Sequence, residues 1–486
     1  MTINKQDVIY LLLIIALASA GAVLISNPNI QVGLFGLATL LVIGLVVAIY
    51  IKPSLGAVVL IIAVFSNISR QFTDQGLPGV IKPLVAIVAA TIFVRYLNES
   101  MPGGRVKTRT VEVFLFLFLI ATALSYIVAD NKDRALEATL DLGKDIVIIY
   151  CFLFTLRTPN TWKMAAWTII LVMGFLCLLG AYQVIRGNYR QEFFGLARVV
   201  QDIGSYSTTY RIAGSIKEPN IWGQVVVASI PLVLLRVIDE SRIRIKLISL
   251  GILGILLFEV LNTYSRGAYL ALAIIFVLTA LSYRLHPLVW FSSMAVVVLA
   301  IPWLPSSYTA RFETLSLLSP GSQGGIYQED SFRGRTSEML TGLSMFVNNP
   351  LLGVGAGNYP NNYQTYATNV GLELRSGERD PHSLYVQVLA ETGVIGTIMF
   401  VGFSIALLVG LTRARNSISH LEEYRHWIPW IIAIQLTIIG YLITSFFLHG
   451  AYLRFFWIFS ALAMSAIQLT EELRQDAERP SRELTT

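Results

Sequence analysis

The sequence predicts an all-α polytopic membrane protein with 12–14 transmembrane helices, and three observations carry that prediction. Of 486 residues, 55% are hydrophobic and 14% charged, whereas soluble globular chains carry about 25% charged residues. The mean hydropathy is +0.65. Apolar stretches recur close to the ~20 residues that a helix needs to cross a ~30 Å hydrocarbon core. Charge this scarce cannot coat a water-facing surface.

In chain order the apolar runs are Val8–Ser26, Gln31–Ile51, Ser54–Ser66, Val80–Leu97, Val111–Ala129, Asp145–Leu156, Thr161–Ile185, Pro219–Ile238, Ile245–Leu261, Gly267–Tyr283, Pro287–Leu304, Val394–Leu411, Trp427–Phe447 and Arg454–Leu469. Ser54–Ser66 and Asp145–Leu156 fall short of the ~17 residues that cross unaided, so each is either re-entrant or extended by its flanks. The first run is read as a span. Its rival, a signal peptide cut after Ala18-Ser19-Ala20, is disfavoured because the apolar run continues to Leu24 and the leading basic region is thin. The chain divides into N-terminal transmembrane helices (1–185), a central region with arginine motifs (186–304), a large loop with an amphipathic helix (305–392), and C-terminal helices with a tail (393–486). No soluble domain, internal repeat or low-complexity tract is visible.

Lysines and arginines of short loops set orientation. With the N-terminus in the cytoplasm, Arg95/Arg105/Lys107/Arg109, Arg157/Lys163, Arg236/Arg242/Arg244/Lys246, Arg284, Arg413/Arg415/Arg425 and Arg474/Arg479/Arg482 all fall inside, as does the C-terminus. Two outer segments, Arg186–Glu218 and Pro305–Pro381, are then too long to be mere connectors. Within the second, Phe332–Asn348 places Met339, Leu340, Leu343, Met345 and Phe346 on a broad apolar face and stops at Asn349-Pro350. It is an amphipathic helix, either lying on the outer membrane face or packed on the bundle.

Cys151 and Cys177 sit inside apolar runs, which excludes a disulfide framework, a zinc ribbon and an iron–sulfur protein. The net charge of +6 is scattered between apolar runs, so nucleic acid is set aside as a partner. Gly353-Val354-Gly355-Ala356-Gly357-Asn358 lacks a preceding strand and the third glycine of a dinucleotide fingerprint; it is a tight turn. No Asp-X-Asp occurs and no His/Asp/Glu set clusters on an outer loop, so no metal site is expected.

Three outer helix starts carry ionisable residues: Arg211 before Glu218-Pro219-Asn220, Ser265-Arg266-Gly267, and Asp380-Pro381-His382-Ser383. Helix N-termini offer about half a positive charge and free N–H groups, and arginine forks suit phosphate. Together they describe an anion site for a lipid-linked pyrophosphate. A lone arginine near a helix end is more often a snorkelling anchor than a ligand, but Arg266 sits in a turn of a few residues facing outward, where short loops avoid charge. Glu259 within the ninth span is its candidate partner, in a pair that is structural or functional. Of five histidines, His382 and His449 face outward, and His286, His420 and His426 lie on cytoplasmic loops. Asp380, two residues away, is placed to orient His382 as a general base near neutral pH.

Four segments in this order, Arg211–Gln224 (RIAGSIKEPNIWGQ), Ser265–Leu272 (SRGAYLAL), Pro350–Tyr359 (PLLGVGAGNY) and Pro381–Gly396 (PHSLYVQVLAETGVIG), resemble the bacterial O-antigen ligase and O-antigen polymerase superfamily. His382-Ser383 departs from the family's usual His-Asn, and the first ~200 residues match only as generic spans. The resemblance implies a membrane glycosyltransferase fold of the GT-C type with a large periplasmic loop, and a donor glycan on undecaprenyl pyrophosphate in the outer leaflet of the inner membrane. It implies pyrophosphate binding by Arg211 and Arg266, with Asn220 and Ser265 in support. It also implies His382 as the base on the acceptor hydroxyl, inversion at the anomeric carbon, and no metal or other cofactor. A ligase would use lipid A-core or a similar glycan acceptor; a polymerase would use a second lipid-linked repeat. A lipid-oligosaccharide flippase has a similar span count, but transporters place paired ionisable residues near the bilayer midplane, often in repeated halves. Here they gather at the outer face.

Overall fold

The computed structural model describes residues 30–98, 109–203, 208–283, 330–370, 376–450 and 453–478. The runs Val8–Ser26 and Pro287–Leu304, the Ala18-Ser19-Ala20 sequence, and residues 305–329 of the large loop lie outside them. All twelve other apolar runs fall on helices. The helices are α1 (Ile30–Ile51), α2 (Ser54–Phe65), α3 (Ile68–Asp74), α4 (Ile81–Asn98), α5 (Arg109–Leu124), α6 (Lys132–Thr155), α7 (Pro159–Arg186), α8 (Pro219–Asp239), α9 (Ile243–Thr263), α10 (Arg266–Tyr283), α11 (Asp330–Asn348), α12 (Tyr359–Val370), α13 (Leu384–Ile418), α14 (Ile428–Thr444) and α15 (Arg454–Glu478). The chain is an all-α polytopic membrane protein. Eight helices among the described residues are long and apolar enough to cross a membrane, or nine when α2 and α3, bent by 48°, count as one span.

Both short runs take the forms left open for them. Ser54–Ser66 becomes the bent pair α2–α3, with Asn67 in the left-handed region at the break (φ 51°). Asp145–Leu156 is the second half of the 24-residue α6, lengthened at its N-terminus through the Asn131 cap.

The bundle is built around α8. Its span is 89% buried, against 28–33% for α4, α5, α9, α10 and α13, so α8 is ringed by protein while those five keep a lipid-ready face. Aromatic side chains lock α5, α13, α14 and α15 together: Phe118 meets Phe400 and Trp457, Phe403 meets Phe456 and Trp457, and Tyr441 meets Phe456. Such pairs are worth about 0.5–1.5 kcal/mol each beyond area burial, which matters where lipid competes for every apolar contact. At the opposite end Trp162 packs edge-on against Trp427 and Trp430, and the Arg236 guanidinium lies 3.7 Å over the Trp430 ring.

One expectation needs amending. Between α7 and α8 the chain forms an antiparallel ribbon of β1 (Val199–Ile203) and β2 (Thr208–Ile212), with Val200 opposite Arg211. Arg198 fastens it to α3 through Gln71 Oε1 (2.7 Å) and Asp74 Oδ2 (3.0 Å), and Lys217 reaches the same Asp74 at 2.7 Å. A two-residue-period signal five residues long between charged side chains is too weak to read beside spans of twenty.

α11 covers the expected Phe332–Asn348, but with its faces arranged differently. It packs on α12 and α13 through Gly334, Ser337, Glu338, Thr341, Gly342 and Met345, leaving Leu340, Leu343 and Val347 exposed. Met345 joins Tyr359, Tyr363, Ala367 and Ala390 in a small second core beside the bundle. The small and polar side faces the protein together with Met345, while Met339 and Phe346 are half-buried and Leu340 and Leu343 are left outward.

The glycine turn at 353–357 lies between the start of α6 and a break in α13. Gly353, Gly355 and Gly357 all have positive φ (66°, 98° and 69°). Asn358 and Asn131 exchange hydrogen bonds of 2.8 and 3.1 Å, and Gly357 N–H donates to Glu391 at 2.9 Å. At the break, Gly393 has φ 62° and ψ −163°, and a Cβ there would strike the Leu351 backbone. Nearby, Arg134 and Glu378 form an exposed ion pair at 2.8 Å.

Candidate active site

The arginine motifs meet where three helices end. Glu218 caps α8 by accepting from the Asn220 N–H (3.1 Å), with Pro219 in the first turn where its missing N–H costs nothing. The same carboxylate accepts from Asn220 Nδ2 at 2.7 Å, which turns Asn220 Oδ1 toward Arg211 Nη2 at 2.8 Å. Arg211, 9% exposed on β2, also donates from Nε to the Thr263 carbonyl at 2.9 Å. Thr263 closes α9, and a C-terminal carbonyl lacking a helical partner is a natural acceptor for a guanidinium. Arg211 therefore ties the N-terminus of α8 to the C-terminus of α9.

The chain reverses through Tyr264, at φ 52°, and buried Ser265, so that half-buried Arg266 opens α10. Gly223 on α8 gives this turn its seat, facing Thr263 Oγ1 and Ser265 Cβ. Arg211 and Arg266 thus flank one turn.

Glu259 is fully buried as expected, but its partner is not Arg266. Trp222 Nε1 donates to Glu259 Oε1 at 2.9 Å, and the carboxylate fills the space that a side chain at Gly180 would need. Glu259 turns inward between α7 and α8, whereas the left-handed Tyr264 sends Arg266 into the next helix.

The histidine side contains two imidazole–carboxylate pairs. His382 Nε2 lies 3.4 Å from Glu338 Oε2 on α11, and His449 Nε2 lies 3.4 Å from Asp380 Oδ2. The rings stand edge to face with centroids 5.6 Å apart. Asp380, expected to orient His382, sits with His449 instead. His382 adopts φ 46° directly after Pro381, a conformation costing about 1–3 kcal/mol that persists only where its surroundings hold it. That twist aims the ring at α11 and away from its own preceding carboxylate. Tyr359 donates its hydroxyl to the Glu338 carbonyl. Burial, and after it the Glu338 carboxylate, pushes the Tyr359 phenol above its ordinary range, so it remains a donor.

One segment joins the two sides. Phe447 packs on Gly267 beside Arg266, and His449 follows two residues later. Leu384 N–H, just past His382, donates to the Ser445 carbonyl at 3.0 Å; Gln224 of α8 donates to Ser445 Oγ at 2.9 Å; and Gly450 N–H donates to Gln387 Oε1 at 2.9 Å. Arg211, Arg266, Ser265, Asn220, His382 and Asp380 therefore gather at one end of the bundle, around residues 445–450.

Sequence reasoning missed two groups here. Glu338 was concealed in a helix read for its apolar face, although a glutamate between Ser337 and Thr341 on a small-residue side was a usable signal. Arg454 opens α15 with Nε 3.7 Å from Asp145 Oδ1 and Nη2 3.9 Å from Asp141 Oδ1; it reads as the edge of a span. Among the described residues no group of three or more His, Cys, Asp or Glu is arranged to hold a metal ion.

Residues 251–401 match the family model described as O-antigen ligase. A comparison with curated proteins found no match.

Proposed function

We propose that the chain is an O-antigen ligase-type glycosyltransferase, a reading supported by the match of residues 251–401 to the O-antigen ligase family model. It moves an oligo- or polysaccharide from undecaprenyl pyrophosphate to an acceptor hydroxyl of lipid A-core or a similar glycan. The reaction takes place at the periplasmic face of the bacterial inner membrane, with both termini in the cytoplasm. The observation that carries this reading is the convergence of Arg211 and Arg266, at the ends of α8, α9 and α10, with His382 around one shared segment.

In this reading the two guanidinium groups and the N-terminus of α10 hold the pyrophosphate and stabilise the charge that develops as it leaves. His382 takes the proton of the acceptor hydroxyl while that oxygen bonds to the anomeric carbon and the carbon–phosphate oxygen bond breaks. One displacement inverts the carbon. The proton passes to water, and no metal takes part because the arginines neutralise the leaving group.

Loss of a positioned base usually lowers rate by about 10²–10⁴. Purified His382→Ala, given a labelled undecaprenyl-pyrophosphate oligosaccharide and acceptor in chelator, should bind donor and transfer almost none. Near-normal turnover would remove His382 from the role, and strict dependence on added divalent metal would overturn the mechanism. A product lengthened on the lipid carrier, rather than on the acceptor, would identify a polymerase.

A further inference from the structure

We infer that Glu338, on the surface helix α11, is the positioning residue for His382: it orients the imidazole and balances the charge the ring acquires during transfer. This inference rests on the reading of His382 as the base. α11 turns a fully buried carboxylate toward the protein while leaving Leu340, Leu343 and Val347 exposed. His382 Nε2 stands 3.4 Å from Glu338 Oε2, and a carboxylate held in a buried place at that range favours the protonated ring. The histidine is held from behind as well, by its left-handed backbone.

The turn carrying Glu338 is itself fixed. Tyr359 donates to the Glu338 carbonyl, and Gly342, one turn further on, lets α11 approach Val386 and Tyr359 where a Cβ would collide. These contacts hold a carboxylate beside an imidazole, an arrangement that stabilises the charged ring and strengthens it as a base. The other titratable groups on elements around the ring are His449, Asp380, Tyr359 and Glu391, with Arg335 one turn before Glu338. Asp380 is taken by His449 and Glu391 by Gly357 N–H. During transfer the acceptor's proton moves to the imidazole, Glu338 faces the imidazolium, and the proton leaves to water once the new glycosidic bond has formed and the pyrophosphate has departed.

A base must be neutral to accept a proton, and a neighbouring carboxylate stabilises the charged ring. Removing it lets the ring lose its proton at lower pH and makes it a weaker base. The test uses membranes from a strain lacking the gene, which hold donor and acceptor, supplemented with purified full-length protein across a pH series. Glu338→Gln is expected to lower kcat about 10- to 100-fold with little change in donor KM, and to move the acid limb of the rate profile to lower pH. Glu338→Asp should recover part of the rate. Glu378→Gln, which removes an exposed carboxylate paired with Arg134, should match the wild type. A Glu338→Gln enzyme with wild-type kcat and acid limb, alongside an inactive His382→Ala, would overturn this inference alone. Activity in His382→Ala would remove the reading beneath it.

Discussion

Arg211 and Arg266 carry the same charge at different places, Arg211 on β2 and Arg266 in the first turn of α10. Arg211 binds the Thr263 carbonyl and Asn220 side chain, so Arg211→Ala would release a helix terminus as well as any ligand. Arg266 opens α10 and is half-buried. A charge-assisted hydrogen bond contributes about 1.5–3 kcal/mol, so Arg266→Ala should weaken donor binding by roughly one to two orders of magnitude. Arg266→Lys should recover only part of this, because an ammonium lacks the planar fork. Full donor affinity in the lysine variant, measured by equilibrium binding, would return Arg266 to a structural role. The two histidines differ in a similar way. Each has a carboxylate, but only the partner of His382 is fully buried, so His449→Ala should retain more transfer than His382→Ala in the same assay.

Among the described helices, α13 is the longest and overshoots the bilayer most. Its 35 residues would extend about 52 Å at 1.5 Å per residue, well beyond a ~30 Å core. The break at Gly393 resolves the mismatch. Residues 384–392 turn to meet the glycine loop and the site, while the remainder crosses the membrane. The local conformation is open only to glycine, and the atoms in the way belong to the Leu351 backbone. Gly393→Ala should therefore cost more than about 2 kcal/mol and lower the melting temperature in detergent. Gly251→Ala and Gly254→Ala on α9, where nothing lies within 4 Å, should be neutral or slightly stabilising. A melting temperature unchanged by Gly393→Ala would refute this account of the break.

Across the whole molecule, the two ends of the bundle differ in chemistry. Arg157, Lys163, Arg236, Arg242, Arg244, Lys246, Arg413, Arg415 and Arg425 lie at the end opposite the site, where Arg95 also caps the carbonyls of Tyr50 and Ile51. The site end holds the buried carboxylates Glu338 and Glu391, both histidine pairs and the two candidate phosphate-binding arginines. Counted over the short connections alone, this bias is the reason we propose that the end opposite the site faces the cytoplasm. Both native cysteines are buried, so single cysteines at exposed Gly377 and Ser419 can be probed with a membrane-impermeant thiol reagent against little background. The two positions should label from opposite sides. Labelling of both from one side would invalidate the topology, and with it a periplasmic reaction.

Spans, their order and the clustering of Arg211, Arg266 and His382 near helix starts were legible in the sequence, because a bilayer forces twenty-residue apolar periodicity and a helix end advertises its position through Pro219, Arg266 and Pro381. Pairings were not. Asp380 stands two residues from His382 yet meets His449, and Glu259 stands seven from Arg266 yet meets Trp222, because one left-handed residue, His382 or Tyr264, redirects everything that follows it. Glu338 reaches His382 only after the large loop has folded back on α13. Contacts so distant along the chain are set by which faces the packed helices leave toward one another, a property of the assembled bundle that local sequence periodicity does not encode.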